Sequence, residues 1–278
     1  MPYLVAGVTV AWAFGAAALL LLWHTFLRDL PTPAAVGGLL FAGFAPGLVY
    51  DYAVYPLSLL LVCSLAFLHF MRGRRWVAAG LAGAGAALAY PLGAWLALVA
   101  FVWVALTLRR ERIRALAAAC APPVLAFLGV LALERAQTGR WTAYFDVERT
   151  YDHGLHNPLG AITNAITLWS RTQSLAAENI KALQTLFVTA LLLAVLVHAL
   201  LRRRQLTQLD LLLCIWALVT WAVPLTQGNI STQRNQAALA PIAVLVARLP
   251  RPLLAVAIAL TAGLSVALAR VYFNGSLV

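Results

Sequence analysis

The chain has 278 residues, of which 63% are hydrophobic and only 10% are charged, and its mean hydropathy is +0.87. Soluble domains are roughly 45–50% apolar and about 25% charged, so this composition excludes an ordinary soluble domain, a disordered chain and a disulfide scaffold. The net charge of +11 does not predict nucleic-acid binding, because the arginines stand in tight groups between apolar runs, as in the cytoplasmic loops of membrane proteins. The composition therefore indicates an all-α polytopic membrane protein.

Apolar runs recur along the whole chain, and they predict about ten membrane segments in one transmembrane domain that covers residues 1–278. The predicted segments are residues 4–27, 34–50 and 57–71, two within 76–108, then 115–133, 182–201, 211–226, a segment containing 237–247, and 253–273. Residues 134–181 form the one long polar stretch. The pattern is typical of a multi-pass membrane protein.

The stretch 76–108 carries no charged residue. It is too long for one straight membrane helix and short for two. Pro91 interrupts it, and a proline removes a helical hydrogen bond and disfavours helix at the preceding residue. We therefore expect a helical hairpin whose tip is Tyr90-Pro91.

The basic residues predict the orientation. Alternation of the ten segments places 13 of the 20 Lys and Arg residues on one face and 7 on the other. The thirteen are Arg28, Arg72, Arg74, Arg75, Arg109, Arg110, Arg112, Arg114, Arg202, Arg203, Arg204, Arg248 and Arg251. Short loops rich in Lys and Arg stay in the cytoplasm. This orientation predicts a plasma-membrane protein with both termini and the stretch 134–181 on the outer face.

An outside N-terminus is unexpected for a chain that begins Met-Pro without flanking charge. One hypothesis is that one or more upstream helices precede this sequence or are supplied as a separately encoded N-terminal portion. The alternative is a true N-out protein whose later charge clusters set the orientation. The two stay open at this point.

Acidic and imidazole side chains concentrate in the polar stretch 134–181. They are Asp146, Glu148, Asp152, His153 and His156. Carboxylates and imidazoles together bind divalent cations or carry out acid–base chemistry. The spacing matches no HExxH or HxxxH motif, and a polar loop in water needs polar residues in any case, so a plain surface role is the alternative.

An amphipathic helix is predicted after this cluster. Asn157 and Pro158 are typical of an N-cap and a first helical position, and apolar residues follow from Leu159 to Leu183 at spacings near three and four, interrupted at Gln173. The helix would lie in the outer interface and cover a lipid-entry groove, or pack as a surface helix on the bundle.

Two polar residues within the membrane pattern are site candidates. The apolar run 237–247 is shorter than the roughly 20 residues that a span requires, so its helix should begin near residue 231 and place Arg234 in its first turn. A helix N-terminus and an arginine fork both favour phosphate, with unspecific headgroup anchoring as the alternative. Asp51 is costly at membrane depth and is a functional candidate, unless it rests just outside the hydrocarbon.

The region 44–106, which contains FAPGLVYDYAVYPLS, RGRRW and YPLG, resembles multispanning GT-C glycosyltransferases, and its closest branch is the bacterial relatives of the second mannosyltransferase of GPI-anchor synthesis. The matching positions are Pro46, Tyr55, Ser58, Pro91, Leu92, Gly93, Ser231, Arg234 and Pro241. The chain differs from the family's motifs at three positions. Leu57 stands where the family has a glutamate, and Tyr90 stands where the family has an arginine at the hairpin tip. Asn235 stands where the family has a tyrosine directly after the arginine that Arg234 matches. The family's first outer loop, which carries the catalytic acid, has no counterpart.

The resemblance implies transfer of a sugar, with mannose expected, from a polyprenyl-phosphate donor to an acceptor on the outer membrane face. Arg234 would hold the donor phosphate, with Tyr55, Tyr90 and the acidic and histidine residues of the outer loop around the substrate. Asp51 is the weak candidate for the catalytic base, and a divalent cation is compatible with the loop.

Two other functions are alternatives to the glycosyltransferase. A catalytically degenerate GT-C-like scaffold or subunit would keep the fold without an assured base. A transporter or flippase of a lipid-linked substrate should show buried charges across several spans or repeated halves. The chain has no internal repeat and its spans are almost free of charge, which disfavours the transporter.

Overall fold

The computed structural model describes residues 2–45, 47–150, 154, 156–172, 176–226, 234 and 236–275. Throughout this part the chain is helical, and no strand occurs within it. Five helices are long and apolar enough to cross a membrane: Tyr3–Leu27, Arg112–Thr138, Ala177–Leu201, Gln208–Thr226 and Arg251–Phe273. They support a helical membrane protein. The expected count of about ten segments is not confirmed, because four further apolar helices have only 10–17 residues.

The helices follow one another as α1 Pro2–Leu22, which a π-helical turn continues to Leu27, α2 Thr32–Gly43, α3 Leu48–Tyr52, α4 Leu57–Arg72, α5 Trp76–Ala89, α6 Leu96–Thr107, α7 Arg112–Thr138, α8 Ala143–Thr150, α9 Pro158–Thr172, α10 Ala177–Leu201, α11 Gln208–Thr226, α12 Ala243–Val246 and α13 Arg251–Phe273. Three 3-10 turns, Pro91–Trp95, Arg203–Gln205 and Gln236–Ile242, precede α6, α11 and α12. The most extensive helix contacts join α5 to α7 and α4 to α5.

The predicted hairpin is confirmed. Helix α5 ends at Ala89, Tyr90 is extended with φ −157° and ψ 142°, and the 3-10 turn begins at Pro91. Glycine is required where this turn folds back, because a Cβ on Gly93 would lie 2.1 Å from the Ala86 carbonyl carbon. The proline thus sets the break, and the glycine lets the turn pack against the end of α5.

A second close approach joins α5 to α7. A Cβ on Gly80 would lie 2.0 Å from the backbone oxygen of Ala118 and 2.8 Å from Cγ of Pro122. Only a hydrogen atom fits there, so the two backbones pack almost directly on each other. This contact fixes the hairpin against the longest helix of the molecule.

The arginine clusters come together at one end of the bundle, which we call the arginine end (residues 25–28, 72–76, 103–114, 202–210 and 248–251). The contacts that join it are Arg72 Nη1 to Thr25 O at 3.0 Å, Trp76 Nε1 to Glu111 Oε2 at 3.4 Å, Trp103 Nε1 to Gln208 O at 3.3 Å, and the ion pair of Arg248 with Asp210. Residues far apart in sequence therefore share one polar end, as the charge pattern predicts.

Aromatic side chains gather at the opposite end, which we call the tyrosine end (residues 50–55, 90, 143–150, 234 and 272). The Tyr50 ring lies 5.7 Å from the Tyr55 ring and 5.5 Å from the Tyr272 ring, both edge to face. Ser265 Oγ of α13 donates to the Phe44 carbonyl at 2.7 Å. These contacts tie α3, α4 and α13 together below this end.

Between the two ends the core is apolar, with Trp103, Trp216, Phe41 and Phe67 fully buried. The outer helix faces are apolar as well. Leu81, Leu125 and Leu200 are each more than 60% exposed, and exposed apolar surface on this scale marks contact with lipid or protein. Lipid-facing helices account for it.

The polar stretch 134–181 is not a single loop. Helix α7 continues to Thr138, α8 and α9 follow, and α10 begins at Ala177, earlier than the predicted residue 182. Asn157 caps α9 as expected, since its Oδ1 accepts from the Leu159 N–H at 3.0 Å. The amphipathic stripe is divided between α9 and α10, and Gln173 lies outside the described residues.

Helix α9 packs on the bundle, as one of the two interpretations of the amphipathic helix expects, while its place in the outer interface stays a prediction. Its small residues Ala161 and Ala165 are buried where it packs on α10 and α11. Leu159 and Ile166 remain 64% and 52% exposed. The helix therefore rests on the bundle through alanines and leaves its larger apolar side chains toward the surroundings.

Candidate functional site at the tyrosine end

Four predicted site residues from four separate segments come together at the tyrosine end: Tyr55, Tyr90, Glu148 and Arg234. The Arg234 Cζ atom lies 5.9 Å from the centroid of the Tyr55 ring. Arg234, Glu148 and Tyr55 all act electrostatically on the Tyr90 hydroxyl. We refer to these four residues as the Arg234 cluster.

Local backbone features position each member. Tyr55 stands directly before α4, and Tyr90 stands at the hairpin tip, where Pro91 forbids helix. Glu148 lies on α8, and Arg234 precedes the 3-10 turn Gln236–Ile242. The expected helix start near residue 231 lies outside the described residues, as do Pro46, Ser231 and Asn235 of the family motifs.

The Tyr90 hydroxyl is held in its neutral form. Burial raises its pKa, and the negative charge of Glu148 and the neighbouring Tyr55 raise it further, while the positive charge of Arg234 opposes them. A neutral phenol is a hydrogen-bond donor at physiological pH. Tyr90 therefore offers a donor beside the guanidinium.

Tyr144 joins the cluster although the sequence did not point to it. Its hydroxyl hydrogen-bonds to the Glu148 side chain, and burial together with the Glu148 charge raises the pKa of the phenol. The ring is held by Phe127, 5.6 Å away between centroids. The available signal was the spacing, because residues four apart meet on one helix face.

Asp146 belongs to a different face of α8. It accepts from Thr142 Oγ1 at 2.9 Å and lies 3.5 Å from Arg140 and 3.9 Å from Arg149. Residues two apart on a helix do not face the same way. The two acids that the sequence placed in one group are therefore separated, and only Glu148 reaches the cluster.

Asp51 is buried on α3, 3% exposed, and its Oδ1 atom has no hydrogen-bond partner within the described residues. Burial raises the pKa of this carboxyl well above its usual range. Across the part of the chain that the structure describes, Asp51 makes no hydrogen bond or ion pair with Arg234. It lies beside the cluster in sequence and does not join it.

The remaining loop candidates contribute less. Asp152 and His153 lie outside the described residues. His156 is exposed, and its backbone N–H donates to the Thr226 carbonyl at 2.8 Å, which fastens the chain to the end of α11. Within the described ranges no group of three or more His, Cys, Asp or Glu side chains is arranged to hold a metal ion, so the divalent cation stays a prediction.

An apolar groove of about 560 Å³ opens beside the tyrosine end, between α1, α3 and α13. Its lining includes Trp12, Tyr52 and Tyr272. Tyr272 packs on Tyr50, and Tyr50 packs on Tyr55 under the Arg234 guanidinium. A continuous row of aromatic rings therefore connects the groove to the cluster.

The arrangement combines three chemical capacities. A guanidinium binds an oxyanion, neutral phenols donate to it, and a carboxylate accepts a proton or a hydroxyl hydrogen bond. Comparison of the chain with protein-family models, with curated proteins and with solved structures finds no match.

Proposed function

We propose that this protein is an integral membrane glycosyltransferase of GT-C type, which moves a sugar, mannose by the resemblance, from a polyprenyl-phosphate donor to an acceptor hydroxyl. The observation that carries the proposal is the Arg234 cluster, where a cation, two phenols and a carboxylate from four segments meet. The proposal includes ten membrane segments in the plasma membrane, with the tyrosine end and both termini outside. It extends to a separately encoded N-terminal portion as a partner.

The donor phosphate binds at Arg234 in this proposal. A guanidinium holds phosphate through two parallel charge-assisted hydrogen bonds, and Tyr90 donates a third from the hairpin tip. The cation also rests over the Tyr55 ring, a contact that contributes about 0.5–2 kcal/mol to holding it in place. The family's hairpin arginine is thereby replaced by a neutral donor.

The lipid chain of the donor extends into the apolar groove between α1, α3 and α13. Polyprenyl chains bind through apolar contact alone, and the groove is lined mainly by aliphatic and aromatic side chains. Its continuity with Tyr55 through Tyr50 and Tyr272 lets one molecule occupy both places.

Glu148 is the better candidate for the base than Asp51, because it shares the cluster with the phosphate-binding arginine. Its carboxylate takes the proton of the acceptor hydroxyl as that oxygen bonds to C1 of the sugar. The bond from C1 to the phosphate oxygen breaks, and its electron pair leaves with the polyprenyl phosphate, whose charge Arg234 stabilises. The Tyr144 hydroxyl orients the carboxylate.

The test compares Arg234→Lys with Arg149→Lys, a matched exchange on the same end, in purified protein that binds a fluorescent polyprenyl-phosphate mannose. Lysine keeps the charge and loses the fork, so a charge-assisted hydrogen bond of about 1.5–3 kcal/mol is at stake. We expect donor affinity to fall roughly ten- to hundredfold for Arg234→Lys. Arg149 is exposed and lies 3.9 Å from Asp146, so its exchange should leave the affinity unchanged.

Equal donor affinities for the two variants and the wild type would reject the phosphate-binding role of Arg234. Sugar transfer to an acceptor is measured on the same preparations, also with the N-terminal portion added. If the protein binds the donor but transfers no sugar in any of these conditions, the result favours the degenerate GT-C-like scaffold over the enzyme.

A further inference from the structure

A separate small cavity, with both apolar and polar lining residues, lies at the arginine end, on the far side of the bundle from the Arg234 cluster. Its volume is about 80 Å³, and it lies between the end of α10, the turn Arg203–Gln205, the start of α11 and the end of α12. The polar side chains that line it are His198, Arg202, Gln205, Asp210 and Arg248. Four segments therefore contribute hydrogen-bonding groups to one small space.

Arg248 is oriented before any ligand arrives. Asp210 is 1% exposed, and its Oδ2 atom accepts from both Arg248 Nη1 and the Thr207 N–H. Thr207 Oγ1 accepts in return from the Asp210 N–H at 3.2 Å, which is the reciprocal cap of a helix start. The capped end of α11 therefore holds the guanidinium in one position.

The guanidinium has donors to spare. Arginine carries five N–H donors, and within the described residues Arg248 uses only Nη1, for Asp210. Its side chain is 33% exposed and lines the cavity. Arg202 is exposed on the same wall and forms no ion pair in that part of the chain. One carboxylate thus faces two guanidinium groups, which leaves a net positive site.

Unsatisfied polar atoms gather in the same walls. His198 Nε2 and Asp210 Oδ1 are both buried and have no hydrogen-bond partner within the described residues. Buried polar atoms in folded proteins are nearly always satisfied by protein, water or ligand. In its Nε2–H tautomer His198 donates to an anion in the cavity, whereas the Asp210 oxygen accepts from water or from a ligand hydroxyl.

We propose that this cavity binds a single phosphate group, carried by a phospholipid headgroup or by a soluble phosphate ester. Drug-sized ligands occupy roughly 300–1,000 Å³, so a cavity of about 80 Å³ takes one compact group. Two guanidinium groups that converge on a small space match the oxygens of phosphate. The proposal does not depend on sugar transfer at the tyrosine end.

The experiment uses Arg202→Gln and its matched control Arg204→Gln, which changes an exposed arginine of the same turn that does not line the cavity. Inorganic phosphate is titrated against each protein in detergent, at constant ionic strength, with thermal unfolding as the readout. In parallel, native mass spectrometry counts phosphatidylglycerol retained from nanodiscs, against phosphatidylcholine nanodiscs. Arg248→Lys, which keeps the ion pair with Asp210 and loses the fork, is the second variant.

We expect Arg202→Gln and Arg248→Lys each to weaken phosphate or phosphatidylglycerol binding on the order of tenfold, as loss of a charge-assisted hydrogen bond does, while Arg204→Gln matches the wild type. Saturable stabilisation by inorganic phosphate identifies a soluble ester, and selective retention of phosphatidylglycerol alone identifies a headgroup. Either result supports the shared phosphate site. Indistinguishable binding by Arg202→Gln, Arg204→Gln and wild type in both arms would overturn it.

Discussion

The two ends of the molecule use an arginine and a carboxylate in different ways. At the arginine end, Asp210 is fully buried and pairs directly with Arg248. At the tyrosine end, Arg234 rests over an aromatic ring, and Glu148 accepts a hydrogen bond from Tyr144. The comparison indicates that the first pair joins α11 to the segment after α12, whereas the charges of the second set rest against an aromatic ring and a phenol.

The largest effect concerns which side of the membrane each end occupies. With Cys63, Cys120 and Cys214 replaced, we expect an impermeant thiol reagent applied to intact cells to label Thr150→Cys and to leave Arg203→Cys unlabelled. The reason is that 13 of the 20 basic residues belong to the arginine end, and short loops rich in Lys and Arg are typical of the cytoplasmic side. Labelling at position 203 with protection at 150 would invert the comparison between the ends.

Glu148→Gln tests the chemistry of the tyrosine end. We expect sugar transfer to fall about 10²–10⁴-fold, which is the usual contribution of a general base, while donor affinity stays near the wild-type value. Asp146→Asn is the matched control on the other face of α8. It breaks only partly exposed contacts to Arg140 and Arg149, and such pairs contribute about 0–1 kcal/mol.

If Glu148→Gln and Asp146→Asn lower the transfer rate equally, the effect comes from the charge or stability of α8 as a whole. Glu148 is then not the general base. The measurement is initial rate at saturating donor, with product detected by mass spectrometry. Retention of full activity by Glu148→Gln would make Asp51 the remaining candidate for the base.

Arg248→Ala tests the structural role of the arginine end. Removing one partner leaves the buried Asp210 charge uncompensated, which costs about 3–5 kcal/mol in buried pairs, and we expect the lower end because the Arg248 side chain is 33% exposed. Arg234→Ala should lower the free energy of unfolding by less, about 0.5–2 kcal/mol, which is the size of its contact with the Tyr55 ring. Denaturant unfolding in micelles measures both.

The double variant Asp210→Asn with Arg248→Ala sharpens this test. The double variant removes the Asp210 charge that Arg248→Ala leaves buried without a partner. The free energy of unfolding should therefore recover most of what the single variant loses. If the two changes instead add, the ion pair is not the source of the effect, and the structural contrast between the ends fails.

A smaller effect is expected at Asp51. Burial raises the pKa of its carboxyl above the ordinary value of 3.8, so the folded state binds more protons than the unfolded state, and stability falls as the pH rises from about 3.8 through the raised pKa. Asp51→Asn should flatten this slope and stabilise the protein at neutral pH. Unfolding temperatures between pH 4 and pH 8 would show it, and an unchanged slope in the variant would exclude Asp51 as its cause.

The helices were predictable because each rests on local chemistry. Apolar runs specify helices that cross lipid, and Pro91 disfavours helix at Tyr90 through a local steric clash. The boundaries of α7, α9 and α10 were less predictable. The polar residues at the end of α7 predict a loop, but the helix continues through them and ends at Thr138.

The individual residues of the candidate site could be predicted from the sequence, but which of them lie together could not. Tyr55, Tyr90, Glu148 and Arg234 could each be named from the sequence, through motif resemblance or charge at an apolar boundary. Nothing in the sequence separated Glu148 from Asp146, since the separation depends on which face of α8 packs inward. Tyr144 was missed because a tyrosine on a short polar helix reads as ordinary surface.

The sequence by itself determined a helical membrane protein with a positively charged end and a hairpin broken at Tyr90, because hydropathy, charge grouping and proline act within a few residues of themselves. Only the tertiary structure decided that Arg234 lies over Tyr55, that the charges of Glu148 and Arg234 act on Tyr90, and that Asp210 meets Arg248. Each of these contacts joins residues distant in sequence, and their meeting depends on how closely the helices pack, as at Gly80 and Gly93, where the absence of a side chain lets neighbouring backbones approach.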